Sequence, residues 1–161
     1  MPFKLMSILA ALVLVAACET APGSDASAAG SGSSSSSLQP GSQEDLVVNV
    51  GDRVFFGFDR FDLDQKSRAV LEKQAAWMKT YQAATVTIEG HADERGTREY
   101  NIGLGERRAN SAKDYLIALG INPNRVRTIS YGEERPVALG SNEDAWTQNR
   151  RAVTVVSGAG S

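Results

Sequence analysis

The segment that decides the fold spans residues 85–120 and has the sequence TVTIEGHADERGTREYNIGLGERRANSAKDYLIALG. Its first residues, 85–88, alternate polar and apolar side chains, which is typical of a half-buried β-strand. From about residue 98 to residue 119, small and apolar residues recur on one face of a helix, and a glycine follows where a left-handed C-cap would end it. We therefore predict a strand, a polar loop and a helix, with Asp93 in the loop and Arg108 in the helix.

The flanking sequence extends this segment into a small α+β domain. Residues 53–58, 125–131 and 151–156 are rich in β-branched and aromatic residues and predict strands. Residues 65–81 contain good helix formers with apolar residues on one side, whereas residues 132–149 are rich in turn formers. The predicted order is βαβαββ, with two main helices packed on one face of a small mixed sheet. The alternation in the third strand leaves its buried face open.

The N-terminal sequence predicts export and lipidation. Lys4 precedes the apolar run 8–17, which has the length of a signal-peptide core and is too short to span a bilayer. Cys18 follows Val15-Ala16-Ala17 in a pattern that resembles a bacterial lipobox. We expect residues 1–17 to be a lipoprotein signal peptide and Cys18, the only cysteine, to carry acyl chains that hold the mature protein on a membrane.

Residues 18–45 predict a flexible tether because they are rich in Ser, Gly and Ala and offer almost nothing to bury. We place the folded domain at residues 46–157 and a short Gly/Ser tail at residues 158–161. The formal net charge of −2 gives no electrostatic reason to expect nucleic-acid binding.

Catalysis and metal binding are poorly supported by the sequence. His91 is the only histidine, and no Gly-x-Ser-x-Gly motif occurs, which argues against nucleophilic catalysis. The carboxylates at residues 59–64 and 93–94 could form a hydrolytic pair, but nothing in the sequence indicates that one of them has a raised pKa. They also lack the spacing of a calcium loop or a zinc helix. We expect neither a catalytic residue nor a metal ligand.

Recognition of a ligand remains as a third interpretation of the polar loop. The start of a helix favours a carboxylate, the guanidinium of Arg108 could clamp one, and Asp93 could accept hydrogen bonds from an ammonium. These groups suit a zwitterionic ligand. An ordinary surface salt bridge would explain the same residues, and spacing alone leaves both interpretations open.

Four motifs reveal a family resemblance. Residues 90–97 have the sequence GHADERGT, residues 101–109 follow the pattern Asn-x-x-Leu-x-x-x-Arg-Ala, residues 130–136 have the sequence SYGEERP, and residues 149–152 are Asn-Arg-Arg-Ala. Together they closely resemble the OmpA-like family of peptidoglycan-binding domains, over about residues 54–156. The lipobox and tether precede the domain in the order found in the lipoproteins of this family.

The resemblance implies noncovalent binding of the diaminopimelate residue in the stem peptide of peptidoglycan. By this analogy Asp93 takes the ammonium, Arg108 takes the carboxylate, and Asp59 contributes from the neighbouring loop. Asn101 and Leu104 stand at motif positions and would shape the pocket. Whether His91 orients the loop or is only structural stays open.

The resemblance also implies a cellular role. It places the protein on the periplasmic face of the outer membrane, held by its lipid anchor, as part of the Tol-Pal system in cell division and envelope integrity. Its partners would be peptidoglycan, the β-propeller protein TolB and other Tol-Pal components, without a cofactor and without enzymatic activity. The main expectation is an anchor between outer membrane and wall. The alternative is a docking module for Tol components in which wall binding is secondary.

Overall fold

The computed structural model describes residues 38–157. The expected signal peptide, Cys18, most of the expected tether and the tail at residues 158–161 lie outside the described residues. The helices are α1 (Gln43–Asn49), α2 (Gln65–Thr80), α3 (Arg98–Ala118) and α4 (Glu143–Asn149), and a 3-10 turn covers Pro123–Arg125. The strands are β1 (Arg53–Phe55), β2 (Val86–His91), β3 (Val126–Gly132) and β4 (Arg151–Val156). Within this part of the chain, every helix is too short or too polar to cross a membrane.

The four strands form one mixed sheet in the order β1-β4-β2-β3. Strand β4 runs antiparallel to both β1 and β2, whereas β2 and β3 are parallel. Parallel neighbours need a long crossover connection, and helix α3 supplies it by packing across β2 and β3. The predicted α+β fold with a mixed sheet and two main helices is confirmed.

The core lies between the sheet and helices α2 and α3. Val126 is buried there and Ile129 is exposed, which answers the question of which face of β3 packs inward. The apolar side chains that fill the core include Leu71, Met78, Val86, Ile88, Ala109, Leu116 and Val126.

Helix α3 approaches strand β2 closely because two glycines face each other. A Cβ atom on Gly105 would lie 2.9 Å from the carbonyl oxygen of Gly90, and a Cβ on Gly90 would overlap the carbonyl oxygen of Gly105. This contact holds the start of α3 beside the end of β2, where the polar loop emerges.

Helix α1 is absent from the sequence-based prediction, and it places the start of the folded domain before residue 46. The hydroxyl of Ser42 caps the helix by accepting from the N–H of Asp45. The carboxylate of Asp45 accepts from Gly41 N at 2.9 Å and from Trp77 Nε1 at 2.9 Å, which ties α1 to α2. The predicted boundary between residues 45 and 46 falls within this helix, because the polar composition of the segment hides its capping and buried contacts.

Two other elements differ from their predicted extents. Strand β1 ends at Phe55 instead of residue 58, so residues 56–64 form a longer loop before α2. The segment 132–149, predicted as a loop, contains helix α4, which Asn142 caps by accepting from Ala145 N at 3.0 Å.

Candidate functional site

A cleft of about 210 Å³ opens where the β1–α2 loop, the β2–α3 loop and helix α3 meet. Four of the five residues expected to bind the ligand line this cleft, namely Asp59, Asp93, Leu104 and Arg108, and Asn101 does not. The full lining consists of Phe58, Asp59, Asp93, Arg95, Gly96, Tyr100, Leu104 and Arg108.

Arg108 is a buried cation that joins the two loops. Its residue exposure is 0%, and it donates to the carbonyl oxygens of Gly57 at 3.1 Å, Arg60 at 2.8 Å and His91 at 2.7 Å. Burial lowers its pKa to about 10, although the negative charge of Asp93 acts in the other direction. The guanidinium therefore stays protonated at neutral pH. Among residues 38–157 it has no carboxylate within ion-pair distance. A guanidinium has five N–H donors, so donors remain for a ligand.

Asp93 is buried and paired with two arginines. Its Oδ1 accepts from Arg95 N at 3.1 Å and Arg95 Nε at 3.2 Å, and its Oδ2 accepts from Arg95 Nη2 at 2.6 Å and Arg150 Nη1 at 3.2 Å. Burial disfavours the charged form, but these hydrogen bonds outweigh it and hold the pKa of Asp93 below its ordinary value. The carboxylate is therefore ionised at neutral pH.

Asp59 is exposed at the side of the cleft and has an unusual backbone conformation. Its φ of 56° lies in the left-handed region, which aspartate tolerates better than most residues. Its carboxylate accepts a hydrogen bond from the hydroxyl of Tyr100 on helix α3. The strained backbone thus presents a carboxylate at the cleft.

Asn101 is buried behind the loop and does not shape the cleft directly. Its side-chain amide donates to the carbonyl oxygens of Asp93 at 3.2 Å and Arg95 at 3.3 Å, and also to the carboxylate of Glu133. Asn101 therefore holds the loop that carries Asp93, whereas Leu104 lines the cleft itself.

His91 is buried outside the cleft lining, with 2% of its surface exposed. Burial lowers its pKa to about 3, and the nearby charges of Arg151 and Arg135 act in the same direction. Its ring stacks on Tyr131 with centroids 5.7 Å apart. The neutral side chain packs structurally, while its backbone carbonyl positions Arg108.

Comparison with known proteins gives the family. Residues 55–150 match the OmpA family. This chain belongs to the OmpA family. The resemblance inferred from the sequence motifs is thereby confirmed.

Relatives within the OmpA family include lipoproteins. The chain is 50% identical over 157 residues to a peptidoglycan-associated lipoprotein of Rhizobium meliloti (strain 1021), covering 96% of this chain and 89% of the relative. It is 55% identical over 121 residues to a protein of the same name from Brucella melitensis biotype 1, covering 75% and 72%.

Solved structures agree in fold. The crystal structure of the peptidoglycan-associated lipoprotein from Burkholderia pseudomallei is 39% identical, with a TM-score of 0.64 over 65% of this chain and 89% of that chain. The C-terminal domain of Helicobacter pylori MotB, at 22% identity, has a TM-score of 0.62 over 67% of this chain and 85% of its own, and shares the fold.

Two arginines of this OmpA-family site were not selected from the sequence. Arg95 pairs with Asp93 and lies between the rings of Phe58 and Trp146, 4.0 Å from each centroid. Arg150 is buried and reaches Asp93 from the position between α4 and β4. The Asn-Arg-Arg-Ala motif contains Arg150 and was the available signal, but only the fold brings the side chain of Arg150 to Asp93.

The acidic residues near β1 have structural partners. Asp64 caps α2 by accepting from Ser67 N at 2.7 Å, and Asp62 pairs with Arg60 at 2.7 Å. Within residues 38–157, no group of three or more His, Cys, Asp or Glu side chains is arranged to hold a metal ion. The cleft itself contains paired charges and hydrogen-bond donors.

Proposed function

We propose that this protein is an envelope lipoprotein that binds peptidoglycan noncovalently and anchors the outer membrane to the cell wall. Its membership of the OmpA family and its similarity to proteins named peptidoglycan-associated lipoprotein support this role. The ligand in the cleft would be the diaminopimelate residue of the stem peptide, whose free end carries both an ammonium and a carboxylate.

The observation that carries the proposal is the buried charge of Arg108. A buried cation is expensive to leave without an opposite charge, and the hydrogen bonds from Arg108 go to uncharged backbone carbonyls. A ligand carboxylate would supply that opposite charge and could accept the remaining guanidinium donors. The site is therefore prepared for an anion before the ligand arrives.

The other cleft residues fit the rest of the same ligand. Asp59 and Asp93 would face the ammonium, and Leu104 would contact the methylene chain between the two charged ends. Asn101 would act indirectly by holding the loop of Asp93. Charges of both signs within one small cleft favour a zwitterion over a simple anion or cation.

The proposed cellular role depends on the lipid anchor expected at Cys18 and on a protein partner besides peptidoglycan. Lipidation of Cys18 would place the protein on the periplasmic face of the outer membrane, within the Tol-Pal system. TolB is the proposed protein partner, and the exposed rings of Phe58, Phe61 and Tyr100 around the cleft suit a protein contact. Competition between TolB and a soluble stem peptide for the purified protein would test whether the two share this face.

Sedimentation with purified peptidoglycan sacculi tests the main proposal. Asp59→Asn keeps the side-chain shape and the tolerance for the left-handed backbone but removes the charge. We expect it to weaken wall binding about tenfold, since a hydrogen bond between two charged groups is lost. Asp62→Asn is the matched control, because Asp62 pairs with Arg60 and lies outside the cleft lining.

The outcome of this comparison separates the two candidate roles. If Asp59→Asn sediments with sacculi as well as Asp62→Asn does, the cleft is not the wall-binding site. Strong TolB binding by a protein that does not sediment with sacculi would favour the docking role. For the anchor, Cys18→Ala should move the protein from the membrane fraction to the soluble fraction, and continued membrane attachment would refute lipidation at this residue.

A further inference from the structure

The carboxylate of Asp93 has no free position for a ligand ammonium. A carboxylate offers about four lone-pair positions. Oδ1 accepts two hydrogen bonds from Arg95, and Oδ2 accepts one from Arg95 and one from Arg150. A ligand ammonium that binds Asp93 must therefore replace one of these donors.

Arg150 is the less replaceable of the two. Its side chain is 6% exposed and also donates to the Phe56 carbonyl at 3.1 Å, to Glu143 at 2.6 Å and to Thr147 at 3.0 Å. Displacing Arg150 from its place would also break its hydrogen bonds to the β1–α2 loop and to helix α4.

Arg95 is more exposed than Arg150. Its side chain is 30% exposed, it pairs with the carboxylate of Asp93 at 2.6 Å, and the carboxylate of Glu143 lies at the longer distance of 3.9 Å. The guanidinium also stacks on the rings of Phe58 and Trp146. The guanidinium can thus leave Asp93 by a side-chain rotation toward solvent, at the wall of the cleft that it lines.

We propose that Arg95 occupies the ammonium position in the ligand-free protein and that the ligand ammonium displaces its guanidinium from Asp93. This inference rests on the proposed function, since it takes the free end of diaminopimelate as the ligand. Arg95 is then a residue that sets specificity: a ligand with a carboxylate alone leaves Arg95 in place, whereas one with both charged groups moves it. The displaced guanidinium also leaves the ring of Trp146.

Two synthetic tripeptides provide the test. One is L-Ala-γ-D-Glu-meso-diaminopimelate, and the other carries 2-aminopimelate at the third position, which keeps the distal carboxylate and lacks the distal ammonium. In calorimetric titrations we expect Arg95→Gln to bind the diaminopimelate peptide about fivefold more tightly than wild type, because its competitor for Asp93 is gone. Binding of the aminopimelate peptide should stay within about twofold of the wild-type value.

Arg98→Gln is the matched control, because Arg98 is exposed and pairs with Glu134 outside the cleft lining. It should leave the affinity for both peptides unchanged. Asp93 keeps Arg150 as a partner in Arg95→Gln, so this variant should fold, and its thermal unfolding would verify that.

A spectroscopic measurement follows the displacement in the wild-type protein itself. Trp146 fluorescence should change on titration with the diaminopimelate peptide, and much less with the aminopimelate peptide. The change should disappear in Trp146→Phe, which leaves Trp77 as the remaining tryptophan.

Three results would overturn the inference. Weaker binding of the diaminopimelate peptide by Arg95→Gln would mean that Arg95 contacts the ligand, and equal gains for both peptides would mean that it does not compete with the ammonium. An unchanged Trp146 signal on saturation would mean that Arg95 stays in place. If wild type binds neither peptide, the proposed function fails as well, which is distinguishable from a failure of the Arg95 inference alone.

Discussion

At the scale of single residues, Arg108 connects the two loops of the cleft while keeping its charge. Its hydrogen bonds to Gly57 and Arg60 hold the β1–α2 loop, and its bond to His91 holds the end of β2. Replacing it would remove three hydrogen bonds to backbone carbonyls that hold the two loops, so a loss of binding in an Arg108 variant would combine two effects. Variation of the ligand is therefore the cleaner test of this residue.

His91 predicts how stability changes between pH 7 and pH 5. Its pKa is about 3 in the folded protein and has the ordinary value of 6.5 when unfolded. As the pH falls below 6.5, the unfolded chain takes up a proton that the folded protein cannot bind. We expect the free energy of unfolding to fall by roughly 1–2 kcal/mol from pH 7 to pH 5, measured by denaturant titration.

The control for this prediction is His91→Phe, which keeps an aromatic ring beside Tyr131 and cannot titrate. Its stability should change little over the same interval. The lowered pKa of Asp93 adds a separate loss only below its ordinary value of 3.8. A wild-type slope that persists in His91→Phe would assign the pH dependence to another group.

At the scale of elements, the contact between α3 and β2 depends on Gly105. Its substitution by alanine would place a Cβ 2.9 Å from the carbonyl oxygen of Gly90 and closer still to Ser130 Oγ. We expect Gly105→Ala to destabilise the protein by about 1–3 kcal/mol in thermal or chemical unfolding, because the helix must move away from the sheet.

A second glycine of the same helix serves as the control. A Cβ on Gly103 would meet only Arg107 Nη1, at 3.6 Å. Gly103→Ala should therefore stabilise the protein by about 0.5–1 kcal/mol through helix propensity. Equal effects of the two substitutions would show that helix propensity, not close packing, governs both positions.

Helix α1 predicts a difference between two truncated chains. A chain beginning at residue 46 lacks Ser42 and Asp45, whereas one beginning at residue 38 keeps them. The shorter chain should be less stable by roughly 2 kcal/mol or more, since a helix cap is lost and the buried indole N–H of Trp77 loses its acceptor. Coincident unfolding curves would show that α1 adds nothing to the domain.

Prediction from the sequence succeeded where periodicity and burial agree. Helices α2 and α3 have long apolar faces, and residues 85–88 alternate clearly, so these elements were found. Helices α1 and α4 have seven residues each, and their stability comes from capping by Ser42 and Asn142 and from tertiary contacts. Such short elements carry too little periodicity to distinguish them from a loop.

The candidate site was predictable to a similar degree. Motif positions indicated Asp93, Leu104 and Arg108, the family resemblance added Asp59 from the neighbouring loop, and the structure brings these four to one cleft. The roles of Arg95, Arg150 and Asn101 depend on which carboxylate or carbonyl each side chain reaches. Those contacts form because β4 pairs with β2 and α3 packs on β2. A local sequence pattern does not show which distant elements become neighbours.

At the scale of the whole molecule, the charges of the cleft contrast with the weak overall charge. The formal net charge is −2 over 161 residues, so long-range attraction to an anionic wall contributes little. Selectivity must therefore come from the cleft itself, where a buried guanidinium and two carboxylates lie within about 210 Å³. Under the proposed function, attachment to the wall then depends on recognition of one amino acid of the stem peptide.

The most direct test is a calorimetric comparison of two ligands on the unmodified protein. L-Ala-γ-D-Glu-meso-diaminopimelate has the distal carboxylate proposed to meet Arg108, and the tripeptide ending in L-lysine has the ammonium without it. We predict that the lysine peptide binds at least about tenfold more weakly, since Arg108 then gains no carboxylate partner from the ligand. Equal affinities for the two peptides would contradict the assignment of Arg108 as the carboxylate-binding group of the cleft.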